Sequence, residues 1–321
     1  MIEAVGLCKR FPGSAGVMAL DSLSISAREG TVLGVLGPNG AGKTTTARIL
    51  TTLLDADSGS ASVAGFDVRT QAHEVRRAIG VAGQSASIDN RLTGRENLTL
   101  VGVLRGLGRK GAKARAMEIL DTFGLADRAN DVAKHYSGGM RRRLDLAAAL
   151  VGHPRVLFLD EPTTGLDPTS RAMLWESVER EVANGVTVLL TTQYLEEADH
   201  LADNIAVISA GTVVAEGSPA ELKRQVGGEV LRVVPKDPNR TADMAAIMAT
   251  VCGREPTNGK QGLTVPLTSS IAQVAHVADR MVADDIEAAE FGIDRPSLDD
   301  VFHQLTADPE SKGAREPVAA R

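Results

Sequence analysis

A chain of 321 residues has room for one large domain and one small one, or for two of moderate size. Its 43% hydrophobic and 24% charged residues exclude collagen-like, wholly disordered and disulfide-scaffold classes. A net charge of −6 and an aromatic share of 3% argue against a general nucleic-acid binder, which carries a basic balance or a base-stacking surface. The apolar runs, such as Val156–Leu159 and Val186–Leu190, fall far short of the about 20 residues that span a bilayer. Met1–Phe11 contains Glu3 and lacks the apolar centre of a secretory signal. Cys8 and Cys252 lie far apart in no metal-like spacing and read as reduced packing thiols.

Short apolar or alternating runs bounded by Gly, Pro or Asp predict strands at Ile2–Leu7, Leu20–Ser26 and Val32–Leu36. Ala47, Leu50, Leu53 and Leu54 then repeat with helical spacing and predict a helix over Lys43–Leu54. Helices are predicted at Arg95–Leu104 and Lys113–Phe123, broken at Gly106–Gly111. Strand and helix alternate again through Val156–Leu159, Arg171–Ala183, Val186–Thr191, Leu195–Ala202 and Ile205–Ile208. Such alternation implies parallel strands with crossover helices. After Glu221–Val226 and the pair Gly227–Gly228, a new strand starts at Val230–Val234. The organisation read from these signals is a domain over residues 1–225 with a helical subdomain near 86–136. A small α+β domain follows over 226–305, then a disordered tail over 306–321.

Two motifs carry chemistry. Gly37, Pro38, Asn39, Gly40, Ala41, Gly42, Lys43 and Thr44 fit G-x-x-x-x-G-K-[ST] between a predicted strand and a predicted helix. Glycines there let backbone N–H groups turn toward phosphate oxygens, and the helix adds its positive end. Lys43 is expected on the β- and γ-phosphates, Thr44 on Mg²⁺, and Thr45 joins the nucleotide contacts. Four apolar residues after Arg155 make a buried strand that ends on Asp160 and Glu161. Asp160 then stands beside the phosphate loop, where it is expected to hold Mg²⁺ either directly or through a group bound to the ion. Glu161 points to where an attacking water sits, as its general base.

Tyr136-Ser-Gly-Gly-Met-Arg-Arg-Arg143 precedes that strand, and the full set resembles the nucleotide-binding subunit of an ABC transporter. The octapeptide is similar to the signature motif of that family. Ser137, Gly138 and Gly139 open a helix whose N-terminus can hold the γ-phosphate. In the family that phosphate lies on the opposite subunit, so the resemblance implies a homodimer with composite ATP sites. At least one of Arg141–Arg143 reads as a solvated helix face. The resemblance also places Phe11 on adenine, and Gln84 on Mg²⁺ and at the membrane partner. Leu92–Leu98 is similar to the segment that opens the helical subdomain, and Thr164–Asp167 to the loop that crosses between subunits. The simpler reading of Asp167 is a helix cap.

One residue departs from the family pattern. Where a switch histidine usually follows the strand Val186–Thr191, this chain has Gln193. Its amide can donate to phosphate but cannot hold or pass a proton, which leaves Glu161 as the base. This Gln, with Asp294-Arg-Pro-Ser-Leu-Asp-Asp-Val-Phe302, resembles the daunorubicin-resistance-type exporter ATPases. The resemblance implies a P-loop ABC-type α/β core with a mixed sheet and a helical subdomain. It further implies ATP and Mg²⁺, hydrolysis coupled to export of a drug, antibiotic or other hydrophobic compound, and a separate membrane permease. The chain is expected at the cytoplasmic face of the membrane as a peripheral subunit, without nucleic acid. The rival readings are a soluble ABC-type ATPase acting on ribosome or nucleic acid, and a low-activity regulatory subunit.

Overall fold

The computed structural model describes residues 1–12, 16–83, 88–226, 228–259, 262–268, 270–294, 297–298 and 301–302. Two compact units divide the chain, Met1–Pro219 and Ala220–Arg321. The first begins with β1 (Ile2–Phe11), β2 (Val17–Ala27), β3 (Val32–Leu36), α1 (Lys43–Leu50), β4 (Ser58–Val63) and β5 (Phe66–Asp67). It continues with α2 (Ala72–Ala78), β6 (Ile79–Ala82), α3 (Gly94–Leu104), α4 (Gly108–Thr122) and α5 (Gly138–Leu150). It closes with β7 (Val156–Asp160), α6 (Pro168–Ala183), β8 (Thr187–Thr192), α7 (Leu195–Leu201), β9 (Asn204–Ser209) and β10 (Thr212–Gly217).

These strands form two sheets. The larger has the order β10-β9-β3-β8-β7-β6. From β9 to β6 every neighbouring pair is parallel, as strand–helix alternation requires. β10 instead turns back antiparallel on β9 through Ala210 and Gly211, both at positive φ. The sheet is therefore mixed. All of β3 and β8 is buried, which follows from elements packing on both faces. The second sheet, β2-β1-β4-β5, is antiparallel throughout. Its inner residues Ile2, Leu7, Leu23 and Ile25 share one core with Leu33, Val35, Ile49, Leu50, Phe158 and Leu189.

The helix predicted to reach Leu54 stops at Leu50. The Thr51 hydroxyl donates back to the Ala47 carbonyl at 2.8 Å, and Thr52 turns left-handed at φ 62. Hence Leu53 is exposed instead of lying on a buried helix face. The break predicted over Gly106–Gly111 is shorter, because α4 already starts at Gly108. α3 begins at a capping box: Thr93 accepts from the Glu96 N–H at 3.1 Å, and Glu96 accepts from the Thr93 N–H at 2.9 Å.

α8 (Pro219–Val226) carries the chain across the division, which falls ahead of the boundary read near residue 226. The second unit contains β11 (Val230–Pro235), α9 (Thr241–Cys252), β12 (Thr257–Gly259), β13 (Gly262–Pro266), α10 (Ser270–Ala283) and β14 (Ala288–Asp294). Its antiparallel sheet has the order β12-β13-β11-β14. Leu231, Val233, Leu263 and Val265 alternate onto one face and pack with Met244, Met248, Val277 and Met281.

Candidate nucleotide site

The C-terminal ends of β3, β8 and β7 lie side by side, with Leu36 opposite Thr192 and Asp160 opposite Thr191. Parallel pairing therefore brings three loops to one edge of the sheet. Ligands of open α/β sheets bind at such an edge.

The loop after β3 runs from Gly37 to Gly42. A Cβ at Gly37 would overlap the Ile208 carbonyl, so only glycine fits. Gly42 takes φ 111, and a Cβ there would stand 2.7 Å from the Ala19 carbonyl. Gly42 caps α1 with no side-chain bond, which leaves the first N–H groups of the helix for an anion. Pro38, Asn39 and Gly40 are exposed, whereas Ala41 is buried and accepts from the Gly211 N–H at 3.0 Å. Lys43 is buried and folds over the loop, donating to the carbonyls of Gly37 at 2.7 Å and Pro38 at 3.1 Å. Burial pulls its pKa down, and Glu161 and Asp160 partly oppose this. Thr44 and Thr45 are half-buried at the start of α1.

The Thr44 hydroxyl lies 3.3 Å from Asp160 Oδ1, so the loop and the end of β7 meet. The Thr191 hydroxyl of β8 also donates to Asp160 Oδ1. Glu161 is buried, and its N–H donates to the Thr191 carbonyl at 2.9 Å. Its φ of 50 puts a non-glycine residue in the left-handed region. The Thr164 hydroxyl donates to Glu161 Oε2 at 3.4 Å.

Gln193 is exposed at the end of β8. It does not cap α7: the cap residue is Tyr194, whose N–H donates to the Thr192 hydroxyl at 3.0 Å. The Arg171 guanidinium lies over the Tyr194 ring at 5.7 Å. The turn is thus held on both sides of a free-facing Gln193. Phe11 is 36% exposed at the end of β1. Gln84 lies outside the described residues.

Ser137 caps α5, accepting from the Met140 N–H at 3.2 Å, and it is exposed together with Gly138. Gly139 is buried against Ser170 of α6. Asp167 caps α6 through the Ser170 N–H at 2.9 Å. One cavity of about 360 Å³ is lined by Gly138, Arg142, Glu161, Thr164 and Gly165, so the signature helix and the Glu161 turn border the same space.

The three adjacent arginines of α5 have different surroundings. Arg141 is exposed, and Arg143 donates to the Phe123 carbonyl at 2.9 Å. Arg142 reaches under Glu161 and donates to its carbonyl at 2.7 Å. The available signal was Asp145 one turn on, within a run of apolar residues. A second residue missed in the sequence is Glu197, wholly buried with Trp175 Nε1 donating to it at 3.3 Å.

Comparison with known proteins agrees with this geometry. The model of the ABC transporter family matches residues 20–164. That of the C-terminal domain of ATP-binding protein DrrA1-3-like matches residues 217–306. The daunorubicin resistance ATP-binding protein DrrA3 of Streptomyces coeruleorubidus is 49% identical over 290 residues, 90% of this chain and 92% of that protein. The daunorubicin/doxorubicin resistance ATP-binding protein DrrA of Streptomyces peucetius is 45% identical over 324 residues, 99% of this chain and 96% of its own. The fold is shared with the ATP-binding cassette MJ0796, solved as a dimer in a post-hydrolysis state bound to ADP and Pi. The TM-score is 0.62 at 23% identity, over 68% of this chain and 98% of that one. The chain therefore belongs to the ABC transporter family, as an ATP-binding, ATP-hydrolysing subunit of the exporter type with the C-terminal domain of the daunorubicin-resistance group.

Proposed function

We propose that the protein binds ATP with Mg²⁺ between two copies of itself. Hydrolysis there drives efflux of a drug, antibiotic or other hydrophobic compound through a separate membrane permease. The observation that carries this reading is the junction of Thr44 and Asp160, 3.3 Å apart, with Glu161 next in the chain. It unites phosphate loop, metal ligand and base at one sheet edge.

Mg²⁺ fits the residues present. Thr44 Oγ1 and Asp160 Oδ1 are two hard oxygens on facing elements, and Mg²⁺ takes few protein ligands besides phosphate and water. Held by these two oxygens, a Mg²⁺ ion would supply positive charge to offset that of the nucleotide phosphates. Lys43 holds the same phosphates with its ammonium, and Phe11 offers its exposed ring to the adenine. Glu161 accepts the proton of the attacking water. Gln193 donates its amide N–H to the γ-phosphate as charge builds there. Ser137 and Gly138 are exposed at a helix N-terminus, which supports closure of the site by the second copy. Gln84 is assigned to Mg²⁺ and the permease by the family resemblance.

A groove of about 940 Å³ supports docking of a permease segment on this unit. Leu53 and Leu104 are exposed in it beside His73, Arg76 and Arg77. No helix among the described residues is long and apolar enough to cross a membrane, which fits a peripheral subunit on the cytoplasmic face. The acidic balance gives a nucleic-acid target no support. The test is twofold. The purified protein should release phosphate from ATP in a Mg²⁺-dependent manner. Cells that make this protein together with its permease should retain less of a fluorescent anthracycline than cells with a Lys43→Ala variant. Equal retention in the two strains would contradict an anthracycline cargo, and absence of phosphate release would contradict the ATPase.

A further inference from the structure

The geometry points to Arg142 as a positioning residue that fixes the Glu161 turn from the signature helix. The inference rests on the proposed role of Glu161 as the base. Arg142 stands in the first turns of α5, the helix capped by Ser137. Its guanidinium is largely buried and makes a fan of bonds to main chain. Nε donates to the Pro162 carbonyl at 2.5 Å, and Nη2 to the carbonyls of Glu161 at 2.7 Å and Asp160 at 3.2 Å. Nη1 donates to the Gly83 carbonyl at 2.6 Å and lies 3.6 Å from the Asp145 carboxylate. Four carbonyls from the ends of two neighbouring strands thus converge on one planar cation.

Only arginine offers five N–H donors in a rigid fork, so no other side chain can serve these acceptors together. Three of them belong to Asp160, Glu161 and Pro162, the segment that holds Glu161 at φ 50. A strained turn of this kind persists only where its surroundings over-determine it. Arg142 supplies three of the bonds that do so. The fourth acceptor, Gly83, is the residue before Gln84. One side chain of the signature helix therefore anchors both the base-bearing turn and the approach to Gln84. Any shift of α5 that accompanies capture of a γ-phosphate at Ser137 is passed to Glu161 through this fork. Burial lowers the pKa of Arg142, but a guanidinium keeps its charge across the working range of an enzyme.

The experiment measures ATP affinity, kcat, KM and melting temperature for the full chain with Arg142→Gln and Arg142→Lys, each alone and with Glu161→Gln. Arg142→Gln should lower kcat between about tenfold and 10²-fold, the cost of misplacing a catalytic group. ATP affinity should stay within twofold. Arg142→Lys keeps the charge but not the fork, so it should restore folding and recover kcat only in part. In the Glu161→Gln background Arg142→Gln should add less than a twofold further loss, because the group it positions is gone. Unchanged kcat per folded molecule in Arg142→Lys and Arg142→Gln, with only a lower melting temperature, would overturn the inference. So would equal losses with and without Glu161→Gln. Full turnover in Glu161→Gln alone would instead overturn the base assignment, a result read separately from the Arg142 variants.

Discussion

Gly139 of the signature helix and Ser170 of α6 approach so closely that a Cβ at residue 139 would overlap the Ser170 hydroxyl. That hydroxyl donates to Asp167 Oδ2 at 2.6 Å, so the same contact also shapes the exposed Thr164–Asp167 loop. Gly139→Ala should cost about 1–3 kcal/mol, the usual penalty for overpacking. Ser170→Gly in the same chain removes both the hydroxyl and the Cβ and should return most of that loss. A double-mutant cycle in urea checks this: additive effects would show that the two residues do not share the contact.

Gln193 separates a phosphate-facing role from a capping one. Tyr194, not Gln193, caps α7. Gln193→Ala should therefore leave the melting temperature unchanged and lower turnover by about tenfold or more, as loss of a preorganised donor does. Gln193→His should keep activity, since imidazole carries an N–H donor, and should add a pH dependence near neutrality. ATPase rates and thermal melts on both variants decide between these roles. A fully active alanine variant would remove Gln193 from the catalytic set.

Glu197 gives a pH signature to stability. Burial raises its pKa, and the Thr192 and Thr163 hydroxyls, Trp175 and Arg171 counter this only in part. Below its ordinary value of 4.5 the carboxyl is protonated in folded and unfolded chains alike. As pH rises, the unfolded chain ionises first while the folded chain keeps its proton, so stability is lost until the raised folded value is passed. Glu197→Gln cannot ionise. Its melting temperature should match the parent near pH 4, exceed it increasingly as pH rises, and keep a constant lead once the raised folded value is passed. A constant difference at all pH values would show that folding does not raise the Glu197 pKa.

The phosphate loop was legible because its chemistry is local. Glycine, lysine and threonine at fixed spacing between a strand and a helix leave few other uses for them. Asp160 and Glu161 were legible for a related reason, since four apolar residues in a row announce a buried strand that must end at the sheet edge. β4 was not legible: Ser58–Val63 is mostly small and polar, and only Ala61 and Val63 are buried. Leu53 and Leu54 continued a helical spacing that Thr51 and Thr52 end, and hydrophobic periodicity does not register such a backbone event. Arg142 was hidden because an arginine on a helix reads as solvated until the partner carbonyls, distant in sequence, are brought beneath it. Glu197 was hidden in the same way, as one of two adjacent glutamates of which tertiary packing buries the second.

The most direct measurement is ATP turnover and association state of Glu161→Gln. Turnover should fall by about 10²–10⁴, the range for loss of a general base. ATP binding should persist, because Lys43, Thr44 and Asp160 are untouched. With hydrolysis blocked, ATP and Mg²⁺ should convert the variant to a dimer on size-exclusion chromatography, and ADP should not. Near-parental turnover, or a variant that stays monomeric with saturating ATP, would contradict a composite site in which Glu161 activates water.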